Sequence, residues 1–200
     1  MSKLIIKYPS GATPIDPEEI KDLIPDYIST LGELNQLEQA NIADAVVWTG
    51  RQRLEDLLST TFVMKLHEKM FNQVWRWAGK IRRSNKNIGV MQEQIITSLE
   101  QLLKNTEWWI ENKTFPIDET AIRFHHRLVH IHVFANGNGR HARLMTDLLL
   151  EANGTGKFSW GAGTDPTPLE VEGTKRTEYI SALKNADQND FADLIKFARS

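Results

Sequence analysis

Two hundred residues, 40% hydrophobic and 25% charged, are enough to bury a core and fit one domain with small additions. A net charge of −2 speaks against a general nucleic-acid binder, and no segment approaches the roughly eighteen uninterrupted apolar residues of a membrane-spanning helix. The absence of cysteine excludes disulfides and thiolate metal sites; with no apolar signal region after Met1, the cytoplasm is the expected compartment.

The lead from Ser2 to Pro14 carries Pro9, Gly11 and Pro14 and reads as irregular. Asp16 before Pro17-Glu18-Glu19 has the order of a helix start: a capping acid, proline at the first helical position, then acids in the first turn. Pro25 ends that helix early. From Glu33 to Trp48 the apolar residues Leu34, Leu37, Ile42, Ala45, Val46 and Trp48 form a helical face, closed by Gly50. A longer helix is predicted from Thr61 to Gly79, on the spacing of Phe62, Leu66, Met70, Val74 and Trp77. Ile81 to Val90 mixes β-branched and turn residues and is predicted as a short β-hairpin. Helices resume over Gln94 to Trp109 and, capped by Asp118 after Pro116, as far as about His130. Past residue 143, Leu144, Met145, Leu148 and Leu149 recur at helical spacing until Asn153-Gly154. Phe158 to Pro168 is Gly/Pro-rich loop, Leu169 to Ala186 reads as helix with a soft start near Gly173, and Asp190 caps a last helix presenting Phe191, Leu194, Ile195 and Phe197. The fold class expected is all-α with an inserted hairpin.

Five of the six histidines fall between His125 and His141, which locates polar chemistry there. Within that region His132-Val-Phe-Ala-Asn-Gly-Asn-Gly-Arg-His-Ala-Arg143 combines several features. Gly137 and Gly139 flank Asn138, so successive backbone N–H groups can form an anion-binding nest at a helix N-terminus. Arg140 and Arg143, three apart, add planar donor forks suited to a polyphosphate. His132 supplies a base and Phe134 an apolar anchor. Together they suggest phosphoryl or nucleotidyl transfer. His126 and His130 have zinc-like spacing, but no acid lies between His125 and Arg143 to complete a set, so a dedicated zinc site is not expected.

This stretch resembles the signature of the Fic family, His-Pro-Phe-x-Asp/Glu-Gly-Asn-Gly-Arg-x-x-Arg. It matches at His132, Phe134, Gly137, Asn138, Gly139, Arg140 and Arg143, and departs at Val133 and Asn136. The wider likeness runs from about Phe62 to Met145. Arg176-x-x-Tyr179 is similar to the family's usual tail. The Glu33 to Trp48 segment, the Lys157 to Gly161 loop and the end Phe197-Ala198-Arg199-Ser200 resemble the branch called mobile mystery protein B.

The resemblance implies a Fic-like helical domain over 51–200, preceded by an extension over 1–50. It further implies a protein adenylyltransferase that moves AMP from ATP to a Ser, Thr or Tyr hydroxyl of a target protein. In that reading His132 is the catalytic base, and Gly137, Asn138, Gly139, Arg140 and Arg143 bind phosphates. Asn136 stands at the position of the acid that holds Mg²⁺, without its charge. Asn87, Ile88, Gly89 and Val90 belong to the hairpin flap that would dock the target as an added strand. Ser29 and Glu33 resemble the family's inhibitory motif, whose glutamate would pair with Arg143. Glu38, outside that motif, is expected to be inert. The alternatives are a nucleotide-binding regulatory or toxin-like protein with weak or lost transfer, and removal of AMP at the same site. A helix-turn-helix companion protein is implied as partner by the branch, and no membrane or nucleic-acid partner is expected.

Overall fold

The computed structural model describes residues 13–200, so all of the irregular lead except Thr13 and Pro14 lies outside it. Among the described residues the chain forms α1 (Pro17–Ile20), α2 (Leu31–Thr49), α3 (Thr60–Phe71), α4 (Ile95–Glu111), α5 (Ile117–Ile131), α6 (Asn138–Ala152), α7 (Thr174–Ala186) and α8 (Ala192–Arg199), with 3₁₀ turns at Leu54–Asp56 and Gln92–Gln94. The expected all-α class holds.

The centre is the antiparallel pair α5 and α6. Ala121, Ile122, Phe124, Leu128 and Ile131 bury one face of α5, and Ala142, Met145, Leu148 and Leu149 bury the facing stripe of α6. Those spacings follow the helical period, so both helices settle by burying one side. α4 lies on α5, α3 on α6, α2 on α3, and α7 pairs with α8. Leu34 and Ala45 of α2 join the same buried cluster, so the N-terminal extension shares one core with the helices from α3 onward.

Several boundaries differ from expectation. α3 stops at Phe71, because Asn41 of α2 reaches across to cap it: its Nδ2 donates to the Lys69 carbonyl at 2.9 Å, and its Oδ1 accepts the Gln73 N–H at 2.9 Å. The chain then turns, and Trp75 forms an antiparallel bridge with Leu23 rather than another helical turn. Asp118 lies in the first turn of α5, where Pro116 is the cap, and its carboxylate pairs with Arg199. Leu169 to Gly173 stays outside α7.

The predicted hairpin over Ile81 to Val90 is not formed. Ile81 makes a single antiparallel bridge with Phe134, and the following residues run as a loop. The cause is Arg82, whose buried guanidinium collects the carbonyls that a facing strand would have used. Its Nε donates to His132 O at 2.6 Å and its Nη1 to Ser84 O at 2.7 Å, while Nη2 donates to Val90 O. One side chain thereby holds both ends of the loop against the residue at the end of α5.

Candidate active site

The α5–α6 connection is shaped by two residues of positive φ. His132 ends α5 at φ 56°, and Gly137 precedes α6 at φ 76°. Asn138 staples the loop between them: its Oδ1 accepts the Phe134 N–H at 2.9 Å and its Nδ2 donates to the Phe134 carbonyl at 2.8 Å. The Asn138 side chain is therefore a structural brace. Phe134 is fully buried, stacked on His67 with centroids 3.6 Å apart. His67 also donates from Nε2 to the Asn136 carbonyl at 3.0 Å and accepts the Gly79 N–H at Nδ1, 3.0 Å away. This histidine lies outside the sequence cluster, and nothing in its local sequence marked it as a support for the loop.

Gly137 has no room for a side chain. A Cβ there would lie 2.5 Å from the Phe71 ring. Gly137→Ala combines this overlap with left-handed strain of ~1–3 kcal/mol, so urea unfolding should show a stability loss of at least that size. Gly89, at φ 105°, plays a matching part in the Ile81–Val90 loop, where a Cβ would come within 2.6 Å of His132 Cβ. Its missing side chain lets the loop lie directly on His132. Ile88 beside it is exposed at the cavity edge, Val90 gives its carbonyl to Arg82, and Asn87 is exposed.

His132 is only 4% exposed, and neither ring nitrogen has a well-formed hydrogen bond. Burial, with help from the nearby cations Arg82 and Lys86 and against the pull of the Val129 carbonyl, lowers its pKa to about 4. The ring is thus neutral near pH 7 and can accept a proton. His67, His125 and His141 are also fully buried, and burial depresses each of them, His125 to about 3 and His141 to about 4. Their hydrogen bonds join distant segments: His125 to the Tyr179 hydroxyl at 2.8 Å, His141 to the Val63 carbonyl at 3.0 Å.

These shifts make the fold acid-labile. Below about pH 6.5 the unfolded chain protonates histidines that the folded chain keeps neutral, so stability falls as pH drops toward 4. Each such group contributes a slope of up to about 1.4 kcal/mol per pH unit. The urea midpoint should fall clearly between pH 7.5 and pH 5, and an unchanged midpoint would contradict the neutral, buried assignment.

Both arginines of the motif are engaged by carboxylates. Arg140 Nη1 lies 2.6 Å from Glu38 Oε2, and Glu38 Oε1 accepts the Trp75 indole N–H at 2.6 Å. Glu38 is buried, so the expectation that it is inert is wrong: it ties α2 to the motif helix. Arg143 is paired with Glu170, from the segment before α7, and also contacts Tyr179. Burial opposes its charge, but Glu170 and Tyr179 outweigh that and raise its pKa further.

Glu33 does not reach Arg143. It is exposed, and its Oε2 accepts from Ser29 N at 2.9 Å, Ser29 Oγ at 3.0 Å and Thr30 N at 3.0 Å. With Thr30 Oγ1 accepting the Glu33 N–H at 3.2 Å, this is a capping box that starts α2. The hydrogen bonds from Ser29 and Thr30 lower the Glu33 pKa. The expected Glu33–Arg143 pair is corrected accordingly.

Asn136 is committed to the chain itself. Its Oδ1 accepts the Gly137 N–H at 2.7 Å, and its Nδ2 donates to the Thr13 carbonyl at 3.2 Å. No three His, Asp or Glu side chains converge on a possible metal position among the described residues. The donor set therefore does not fit a protein-held Mg²⁺: the one candidate oxygen is uncharged and already bonded. His126 Nε2 lies 2.8 Å from Asp187 Oδ1 and His130 Nδ1 4.0 Å from the same oxygen.

His132, Asn136, Gly137, Asn138, Gly139, Arg140 and Arg143 line one cavity of about 220 Å³. Thr13, Ile15 and Glu170 also line it, as do the apolar side chains of Leu31, Val129, Ile180 and Leu183. Sites for small molecules usually measure roughly 300–1,000 Å³. A nucleoside triphosphate would need some of the lining residues to move.

A model of the Fic/DOC family matches residues 57–150. Among curated proteins, the chain is 30% identical over 149 residues to "Protein adenylyltransferase fic-1" of Caenorhabditis elegans, across 71% of this chain and 27% of that one. It is 28% identical over 151 residues to "Protein adenylyltransferase Fic" of Drosophila grimshawi, across 73% of this chain and 28% of the other. The chain thus spans little more than a quarter of the length of these relatives. Similar solved structures include Fic-1 of C. elegans, with TM-score 0.68, 22% identity, and coverage of 91% of this chain and 52% of the other. Another is BepC of Bartonella tribocorum with bound AMPPNP, with TM-score 0.68, 18% identity, and coverage of 92% and 97%. The fold, the matched segment and the glycine- and arginine-bearing entrance to α6 agree: this chain carries a Fic/DOC family domain.

Proposed function

We propose that this protein is an adenylyltransferase that moves AMP from ATP to a hydroxyl of a protein. The observation that carries the reading is a neutral, unpartnered histidine sharing one cavity with a helix N-terminus and two arginines. Relatives named as protein adenylyltransferases and a neighbour solved with an ATP analogue support it.

In the reaction the target hydroxyl attacks the α-phosphorus, the bond to the bridging oxygen of the β-phosphate breaks, and pyrophosphate leaves. His132 takes the hydroxyl proton. Backbone N–H groups at Asn138 and Gly139 receive phosphate oxygens, the Gly137 N–H being held by Asn136 Oδ1, while Arg140 and Arg143 bind the outer phosphates and the apolar lining of Leu31, Ile180 and Leu183 accommodates the base. The Ile81–Val90 loop, open at Ile88, offers the edge along which a target segment lies.

Asn136, which offers no carboxylate, favours one second reading: a nucleotide-binding regulatory protein with little transfer. Reverse chemistry through Glu33 loses its basis, because that carboxylate is bonded within its own helix cap. The mobile mystery protein B branch is supported by the packing of its characteristic segments, Ser159 and Trp160 donating to the Ala198 carbonyl at 2.9 and 3.0 Å. A helix-turn-helix companion is the partner that this branch implies.

The test uses ATP labelled at the α-phosphate, with the purified chain and a cell extract. His132-dependent label on protein with release of pyrophosphate is expected. ATP binding without any such label would favour the regulatory reading instead.

A further inference from the structure

Arg82 is the residue through which the Ile81–Val90 loop meets His132. The Ile81–Phe134 bridge and the hydrogen bond from Arg82 N to the Val133 carbonyl, 3.0 Å long, set its backbone beside the α5–α6 connection. Its guanidinium then donates to three carbonyls, those of His132, Ser84 and Val90. Arg82 is 3% exposed and forms no ion pair among the described residues, although Glu19 and Glu93 favour its charge from a distance. A buried guanidinium without a carboxylate partner is costly, and a neutral side chain could tie down a loop with less desolvation.

Two features of His132 depend on this neighbour. The first is its backbone: a residue other than glycine at φ 56° is strained by ~1–3 kcal/mol and persists only where its surroundings hold it. The bond from Arg82 Nε, 2.6 Å long, fixes the His132 carbonyl in that conformation. The second is the field at the ring. A Cβ built on Gly89 would lie 2.6 Å from His132 Cβ and 3.1 Å from Arg82 Nη2, so the cation sits beside the histidine side chain with the glycine between them. The neighbouring cations Lys86, Arg140 and Arg143 are paired, with Asp16 and Glu19, with Glu38 and with Glu170 respectively, and Arg176 of α7, across the cavity, donates to the Leu169 carbonyl.

Resting on the transferase reading above, we propose that Arg82 is a positioning residue for the transfer: its guanidinium holds His132 in the left-handed conformation that presents the ring to the cavity. Its charge has a second effect. Burial is the larger influence on the ring, and the Arg82 cation adds to it by opposing a second positive charge, so the imidazole stays neutral to lower pH.

The experiment compares the full chain with Arg82→Lys and Arg82→Gln. Lysine keeps the cation but loses the planar fork, whereas glutamine keeps a donor but loses the charge. Initial rates of His132-dependent label transfer to extract protein are measured at saturating α-labelled ATP, and ATP affinity by isothermal titration. The imidazole is followed by NMR titration of histidine-labelled protein, its signal identified by loss in His132→Ala, over the pH range in which circular dichroism shows the fold intact. Both variants should transfer ~10²-fold more slowly, the order expected of a misplaced reacting group, with ATP affinity changed by no more than about threefold. In Arg82→Gln the imidazole titration and the acid limit of transfer should both rise, by roughly 1 pH unit for the loss of one neighbouring charge. In Arg82→Lys both should stay where they are.

A full rate in Arg82→Lys would overturn the positioning role, as would a slowed rate matched by an equal loss of ATP affinity. An unmoved titration in Arg82→Gln would overturn the effect of the charge. If the glutamine variant fails to fold, the rate and affinity of the lysine variant still decide the positioning role. Absence of transfer by the unmodified chain would overturn the transferase reading and the positioning role with it, while the NMR titration still decides the effect of the charge.

Discussion

Replacing His132 with alanine should lower AMP transfer by ~10²- to 10⁴-fold, the usual cost of losing a general base, while ATP binding changes by no more than a few fold. The split follows from position. His132 stands at the C-terminal end of α5, across the loop from the α6 entrance, and makes none of the contacts expected of the phosphate site. Its low pKa adds a second signature. The imidazole is already neutral over pH 6 to 8, so transfer should be flat there and fall only as pH approaches 4. Acid unfolding overlaps that lower limit, so initial rates should be read alongside a folding probe. A rate falling between pH 7.5 and 6 with the fold intact, or retained turnover in the alanine variant, would remove His132 as the base.

Glu170→Ala should raise ATP affinity by ~10-fold or more, equivalent to about 1.4 kcal/mol. In the structure Arg143 is half-buried and paired with Glu170, so an incoming phosphate must displace a carboxylate before it gains the guanidinium. Removing Glu170 has a cost. Arg143 stays charged without the carboxylate it pairs with, and breaking a fully buried pair in this way typically destabilises by about 3–5 kcal/mol, less for a pair as partly exposed as this one. The apo variant should therefore melt earlier than the unmodified chain, and saturating ATP should recover much of the difference. Isothermal titration with ATP, together with melts with and without it, separates these effects. Unchanged ATP affinity would show that the Arg143–Glu170 pair does not compete with nucleotide. Glu33→Gly serves as the comparison: it removes a helix cap worth about 1 kcal/mol and should leave ATP affinity and transfer unchanged.

The fate of Glu33 shows how local and distant readings of one residue compete. Thr30 and Glu33 have the spacing of a capping box, and the partners Ser29 and Thr30 lie four and three residues away. Closing so short a loop costs little entropy, whereas holding a long exposed side chain against Arg143 would cost more. The Ile81–Val90 loop shows the converse. Its composition suited a hairpin, but Arg82 found His132, fifty positions away, and took the carbonyls that cross-strand pairing required.

Features governed by short-range spacing were legible in the residues alone. The apolar stripes of α4, α5 and α6, the Pro17 start, the Gly50 stop and the glycine-bearing entrance to α6 depend on neighbours within a turn or two. His132 and the two arginines could be picked out as well, because one twelve-residue run contains them. What those groups face is a matter of packing across the chain. Glu170 lies 27 positions from Arg143, Glu38 102 from Arg140, and Thr13 123 from Asn136. No periodicity relates such pairs. They meet because burying the helical stripes brings these chain segments together, and the charges then trapped beside one another must pair or lose solvation.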